Sequence, residues 1–546
     1  MNHSTFCIKK PLAFITFLLI SSFAHAQTLQ DTLAQIDKLF SAYQPQNPGC
    51  ELAISRNGVL IYSKSWGMAD LEHRVPLTTS SVTEAGSVSK QFTAAAILLL
   101  AQQGKISLND DIRKYLPEIP DYGSVIRISN LLHHTSGLRD WGSVMDIAGW
   151  PRSTKTYNND DVLYIVSHQK ALNNKPGDEF IYSNSNFNLQ ALIVKRITGM
   201  ELAEFTRKYI FELAGMTHTQ WRDNFKRIVL NRAIAYHTTD TGYETDMPNE
   251  YAYGNGGLLT TAEDLLKWNE YYWGGKLGSP SLLPQQIAVD HLNSGAENAY
   301  GMGLFIQKRR GWDYINHDGA TAGYRSLLLC YPQLKLSIAF LSNASNADFS
   351  LVRQVEDLFV PDKEKPLSQP TQQNKTYPLS PDQLRAFTGW YQNQKNGAGL
   401  QLMLKNDTLC TARFKLRPIG RNSFSVNGEQ IIFNNKGFIH ITKTKDTTVY
   451  AAVKAAGNGE DYLKAYTGVY YSTETESKYT VVIQNGKLTL HIDPVNDQAI
   501  NPTYYDGFKS ADGGADIYFT RDANDKIKGF KISVNRARNV TFVKVE

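Results

Sequence analysis

Residues 86–104 read GSVSKQFTAAAILLLAQQG, and they set a serine and a lysine three positions apart at the head of an apolar run that a glycine stops. KQFTAAAILLLAQQ has the composition of a buried helix, and Gly104 is its natural terminator. Ser87 can therefore be a helix cap or a nucleophile, and spacing alone does not choose between them. A second Ser-x-x-Lys, Ser167 to Lys170, lies inside the helical pattern VLYIVSHQKAL. Ser87 instead follows Gly86 where the helix is expected to begin, and unpaired amides there favour developing negative charge. Lys90, one turn on, falls on the same face within reach of the hydroxyl.

Outward from this stretch the chain alternates strands and helices. CELAISRNGVLIYSKSWG reads as a hairpin turning at Asn57-Gly58, NFNLQALIVKRITG as a helix, and GYRSLLLCYPQLKLSIAFLS as strands. Between Val360 and Asp382 the text becomes PDKEKPLSQPTQQNKTYPLSP, a proline-rich polar linker whose composition implies few contacts across it. Beyond it, short alternating runs with Asn-Gly turns predict small all-β modules. LRAFTGWY at 384–391 recurs as LKAYTGVY at 463–470, and Gly389/Gly468 and Asn406/Asn485 share one offset of 79 residues, which argues for a duplicated module. The expected organisation is a leader at 1–26, a mixed α and β body at 27–360, a linker at 361–381, and β modules at 382–456 and 457–546.

The leader carries Lys9-Lys10, an apolar run from Pro11 to Phe23 and Ala24-His25-Ala26. This is the pattern of a secretory signal with cleavage after Ala26, and the run is short of the roughly 20 residues that span a bilayer. A periplasmic or secreted protein is expected, with no membrane span after processing. The net charge of +5 over 546 residues is too mild to argue for a nucleic-acid partner. Cys50, Cys330 and Cys410 remain after the leader's Cys7, an odd number in apolar surroundings that reads as buried thiols rather than a disulfide framework. His133-His134 has no ligand-spaced partners, so neither a metal nor a cofactor is expected; the oligomeric state is not legible.

A serine hydroxyl needs a base to become a nucleophile, and a lysine whose pKa is lowered can supply it. Tyr182, in EFIYSNSNFN, is a second proton-handling candidate, with Asn184 two residues on as a substrate amide contact; the same Tyr-x-Asn spacing also occurs at Tyr157, Tyr253, Tyr314 and Tyr391, so context carries the choice. INHDGATAGYRSLLLCY holds the chain's only His-x-Gly, at His317 and Gly319. There a strand edge can set the Ala320 amide opposite the Ser87 amide as an oxyanion hole, with His317 and Gly319 beside the substrate.

The series SVSK, YSN and HDG, in that order, resembles the serine β-lactamase and penicillin-binding-protein-like hydrolases, a group that includes class C β-lactamases, D-aminopeptidases, D-alanyl-D-alanine carboxypeptidases and esterases. LLHHTSGL, FELAGMTHT, GNGGLLTTAEDLLKW and YGMGLFI agree, and the likeness covers about residues 30–350. The resemblance implies an α/β (α+β) fold, an antiparallel sheet flanked by helices with a helical lobe, and the site between them. It implies Ser87 as nucleophile, Lys90 and Tyr182 as the proton-handling pair, and Asn184 against the substrate. His317 stands where β-lactamases carry the lysine of Lys-Thr-Gly, so a group of ordinary pKa about 6.5 replaces a permanent cation, and binding of acidic substrates is expected to strengthen towards pH 6. The implied function is an acyl-enzyme hydrolase acting on D-amino-acid peptides, cell-wall fragments or small esters. A class C-like β-lactamase and a non-catalytic penicillin-binding or sensor protein are the alternatives, and some D-aminopeptidases of the group also carry two β-barrel appendages.

Overall fold

The computed structural model describes residues 29–363, 376–457, 459–494 and 497–545. The expected leader and most of the expected linker lie outside these residues. The body is built on a six-stranded antiparallel sheet whose spatial order is Phe305–Arg309, Trp312–Thr321, Tyr324–Tyr331, Leu336–Ser342, Cys50–Arg56, Val59–Trp66. Asn57 and Gly58 both take positive φ, 53° and 77°, which fits a tight turn whose twist matches the flanking strands.

Side chains alternate across this sheet, and the two faces build two cores. Leu52, Ile54, Leu327, Leu329, Ile338 and Phe340 pack with Ile36, Phe40 and the Phe349–Phe359 helix residues Val352, Val355 and Phe359. Ala53, Leu328, Ala339 and Leu341 turn the other way, towards the Lys90–Gln102 helix and the helical lobe. That helix is buried along nearly its whole length, and Gly104 at φ 69° ends it as its sequence predicts. The Asn184–Thr198 helix packs against it and ends on Gly199, also left-handed at φ 73°. Cys50, Cys330 and Cys410 are buried and unbridged. No helix among the described residues is long and apolar enough to cross a membrane.

Two all-β units follow. In the first, eight strands from Gly389–Asn393 to Thr447–Val453 form one sheet with its own core around Tyr391, Phe424, Phe433 and Phe438. In the second, eight strands from Gly468–Ser472 to Ala537–Lys544 close into a barrel filled by Tyr466, Tyr470, Phe508, Phe519, Phe530 and Phe542. The repeat seen in the sequence has a structural counterpart. In each unit a short helix, Pro381–Arg385 or Glu460–Lys464, leads into a strand at Gly389 or Gly468, and Asn406 or Asn485 takes positive φ at the hairpin turn that ends the following strand.

The expectation of few contacts between body and modules is overturned by the barrel. Its core is continuous with that of the helical lobe. Arg139 and Glu474, 1% and 4% exposed, form an ion pair at 2.5 Å; Arg538 pairs with Glu179 at 3.1 Å; and the Tyr479 hydroxyl donates to the Ile147 carbonyl at 2.5 Å. Linker composition reports on the linker alone, and these contacts come from residues more than ninety positions beyond it.

Candidate active site

Ser87 is not a cap. Residues 86–89 form a single 3₁₀ turn, the α-helix starts at Lys90, and no side-chain capping bond is made. Of residues 81–100 all are buried except Ser87. The turn is held from behind by buried polar contacts: Ser89 Oγ accepts from Leu258 N at 3.1 Å, and Glu84 accepts from Gly257 N at 3.1 Å and from Arg222 Nε at 2.7 Å. Such buried hydrogen-bonded networks fix a local geometry because each bond would be costly to break. The hydroxyl is thus the one outward-facing group on an anchored turn.

Lys90, 0% exposed, reaches three oxygens: Ser87 Oγ at 3.0 Å, Asn184 Oδ1 at 3.0 Å and the Asn255 carbonyl at 2.6 Å. Burial first, and then the positive charge of Arg536, hold its pKa well below the ordinary lysine value. A neutral amine has two N–H groups and one lone pair. Asn184 and Asn255 offer only acceptors, so once the amine is neutral its lone pair is left for the Ser87 O–H.

Tyr182 lies across the same space. Its hydroxyl is within hydrogen-bonding reach of Ser87, and Lys90 Nζ is 4.7 Å from its ring centre. Burial pushes the phenol well above its ordinary value, opposed by the bond to Ser87 and by Arg536. The group is therefore a proton donor at neutral pH, held beside the hydrogen-bonded Ser87–Lys90 pair.

The loop that carries Tyr182 and Asn184 is pinned from the segment 134–141. Asp140 accepts from Asn184 N at 2.6 Å, Arg139 O from Ser185 Oγ at 2.8 Å, and His134 Nδ1 from Ser183 N at 3.1 Å. His134, which has no ligand-spaced partners in the sequence, lies with its ring 4.3 Å from that of Tyr182, and burial lowers its pKa well below the ordinary value.

The Trp312–Thr321 strand closes the opposite side. Gly319 is required there: a Cβ would lie 2.2 Å from Ala85 O and 2.3 Å from Ser326 Oγ, while Gly86, at φ 48°, would place one 2.8 Å from the Ala320 amide nitrogen. Both close approaches bring the backbone of Gly319 and Ala320 against the Ser87 turn, and Ala320 is exposed.

His317 corrects an expectation. It is 2% exposed, its Nδ1–H donates to the Asp318 carbonyl at 2.6 Å, and its Nε2 accepts from the Tyr300 hydroxyl at 3.1 Å. Burial, with the charge of Lys90, lowers its pKa to about 3. An imidazole so enclosed stays neutral through pH 6, so the predicted gain in acidic-substrate binding on acidification has no titrating group behind it.

Ser167, the second Ser-x-x-Lys serine, ends the Asn159–Ser167 helix and donates to Tyr164 O, apart from these residues. Three participants escaped the sequence reading: Asn255, which acts through a backbone carbonyl and so has no residue-type signal; Tyr300, which lies within the quoted YGMGLFI; and Arg536. Arg536 comes from the turn between the last two barrel strands, and its guanidinium carbon sits 4.8 Å from the Tyr182 ring centre.

Comparison with known proteins places these features in context. The Beta-lactamase family model matches residues 29–360. The chain is 28% identical over 342 residues to penicillin-binding protein 4* of Bacillus subtilis, covering 58% of this chain and 71% of that one. It is 28% identical over 337 residues to a D-aminopeptidase of Gluconobacter oxydans, covering 60% of this chain and 63% of the relative. Among solved structures, that of SurE superposes with a TM-score of 0.53 at 16% identity, over 95% of this chain and all of the other, which extends the shared fold into the β units.

Proposed function

The chain belongs to the Beta-lactamase family and is a serine hydrolase, and on that premise we propose that it works through an acyl-enzyme on Ser87, acting on D-amino-acid peptides, cell-wall fragments or small esters. The observation that carries this reading is the buried Lys90 amine, bonded to the one accessible serine of its turn and to two fixed acceptors. Ser87 Oγ attacks the substrate carbonyl as its proton passes to Lys90 Nζ. The oxyanion forms between the Ser87 and Ala320 amides, which are fixed before the charge develops. The bond to the leaving group then breaks, and the departing nitrogen or oxygen takes a proton from Tyr182, which recovers one from Lys90. Water repeats the sequence on the acyl-enzyme. Asn184 orients the substrate amide as well as Lys90, while Gly319 and the neutral His317 line the acyl portion.

Relatives in this family include a D-aminopeptidase and a penicillin-binding protein, which supports the substrate class. The leader pattern of residues 1–26 supports export to the periplasm or beyond. The test is a panel of p-nitrophenyl esters, D- and L-aminoacyl anilides, D-Ala-D-Ala peptides and a chromogenic cephalosporin, run on wild type and Ser87→Ala. Ser87-dependent turnover of a D-configured amide or an ester supports the reading; turnover confined to the cephalosporin would make the chain a β-lactamase instead.

A further inference from the structure

The barrel does more than pack against the body. Its last turn is fastened at the edge of the site: the Arg536 carbonyl accepts from Asp140 N at 3.1 Å and from Asn173 Nδ2 at 3.0 Å, and Arg538 N donates to Asn173 Oδ1 at 2.7 Å. Asp140 also holds the Asn184 amide, so barrel turn and Tyr182–Asn184 loop share one anchor. The Arg536 backbone is fixed while its side chain reaches the face of Tyr182.

Nearby arginines are neutralised. Arg139 pairs with Glu474, Arg538 with Glu179 and Arg152 with Glu250. Among the described residues no carboxylate lies within ion-pair distance of Arg536, whose recorded side-chain partner is an aromatic ring. Asp140 and Asp318 are the acidic groups whose fields reach Tyr182, and neither forms an ion pair with the guanidinium. A partly exposed arginine held beside a reactive hydroxyl, with its fork of donors unmatched, is a receptor for a planar anion. On the other wall His317 is committed to Asp318 O and Tyr300 and cannot supply the charge.

We propose that Arg536, delivered by the C-terminal barrel, receives a carboxylate on the substrate's leaving group, so that the chain favours peptides whose departing residue carries a free C-terminal carboxylate. This rests on the hydrolase reading above. The leaving group is assigned because Arg536 lies against Tyr182, the residue that hands a proton to the departing nitrogen. As the C–N bond breaks that nitrogen becomes an amine, and the carboxylate stays ionised against Arg536 throughout.

The experiment uses the full chain as wild type, Arg536→Gln and Arg536→Lys. Acetyl-D-Xaa-D-Ala peptides with Ala, Leu or Phe at Xaa are compared with their C-terminal amides, alongside a p-nitrophenyl ester. The quantity read is the acid-to-amide ratio of kcat/KM, which cancels whatever the lost charge does to Lys90 and Tyr182. The ratio is expected to exceed about tenfold in wild type. It should fall by about ten- to a hundredfold in Arg536→Gln, chiefly through KM, the scale of a lost charge-assisted hydrogen-bonded pair. Arg536→Lys should keep part of the preference. In unaltered protein, D-alanine should inhibit ester hydrolysis better than D-alaninamide, a readout that needs no variant to fold. An unchanged ratio with a displaced pH–rate profile would make Arg536 a tuning residue and overturn the proposal. So would ester turnover without any hydrolysis of the acidic peptides, while leaving the hydrolase intact. Absence of Ser87-dependent turnover of every substrate would remove both.

Discussion

Glu474→Ala should loosen the barrel from the catalytic body without unfolding either. In the native chain Glu474 Oε2 meets Arg139 Nη1 at 2.5 Å, with both side chains nearly fully buried, and the same carboxylate accepts from Lys170 N at 2.8 Å and Thr541 N at 3.1 Å. Deleting it strands a buried guanidinium, a change that costs about 3–5 kcal/mol. Arg139 keeps acceptors in Gln169 Oε1 at 2.9 Å, Arg538 O at 3.0 Å and Asn539 O at 3.2 Å, which argues for the lower end, about 3 kcal/mol. Two of these acceptors belong to the barrel, so the loss falls on docking. At about 1.4 kcal/mol per tenfold, local opening should become roughly a hundredfold more frequent. Native-state hydrogen exchange reads this directly. The Asp140 amide, which donates to Arg536 O, and the Arg538 amide, which donates to Asn173, should lose about two decades of protection. Amides within the barrel sheet far from the interface should not change. Uniform protection across both groups would show that the ion pair does not govern docking, and that the reasoning from burial is wrong.

Tyr182→Phe should lower kcat for amide substrates by about a hundredfold or more, because the departing nitrogen loses its proton donor, and stopped-flow traces should show the deficit in acylation. The acidic limb of the kcat/KM profile should report Lys90: turnover needs the free amine, so rate rises with pH through a pKa depressed well below the ordinary lysine value, and a limb at the unperturbed value of about 10.4 would contradict the burial effect. His317 should govern stability rather than substrate charge. Its folded pKa of about 3 lies below the unfolded value, so the unfolded state binds more protons between them; stability is lost as pH falls from about 6.5 towards 3, and His317→Gln should flatten that part of a denaturant–pH series. Gly319→Ala should impair turnover and folding together, since the new Cβ would lie 2.2 Å from Ala85 O and force the strand away from the Ser87 turn.

Much of this architecture is legible in the text because it depends on local pattern. The Asn57-Gly58 hairpin, the Lys90–Gln102 helix and its Gly104 stop follow from turn chemistry and apolar periodicity. The duplicated β units follow from the offset of 79 residues shared by Gly389/Gly468 and Asn406/Asn485. Ser87, Lys90, Tyr182 and Asn184 stand together as their neighbours in the sequence suggest, with Lys90 bridging two of the motifs. What the text hides is set by tertiary burial. Nothing in the string HDG shows that the imidazole of His317 is enclosed by Tyr300 and Phe305. Nothing near Arg536 shows that a barrel turn at the far end of the chain returns to the ring of Tyr182, because docking is decided by scattered residues such as Arg139, Asn173 and Glu474. Nor does a backbone acceptor such as Asn255 O leave a mark in residue identity.

The central claim is that Ser87 carries the acyl group. Acid-quenched reactions of the full chain with a slowly deacylated substrate, such as a penicillin, followed by intact-mass and peptide mass spectrometry, test it most directly. One acyl equivalent on the peptide containing Ser87, present in wild type and absent in Ser87→Ala, is the predicted result. Acylation at another residue, or turnover undiminished in Ser87→Ala, would contradict it.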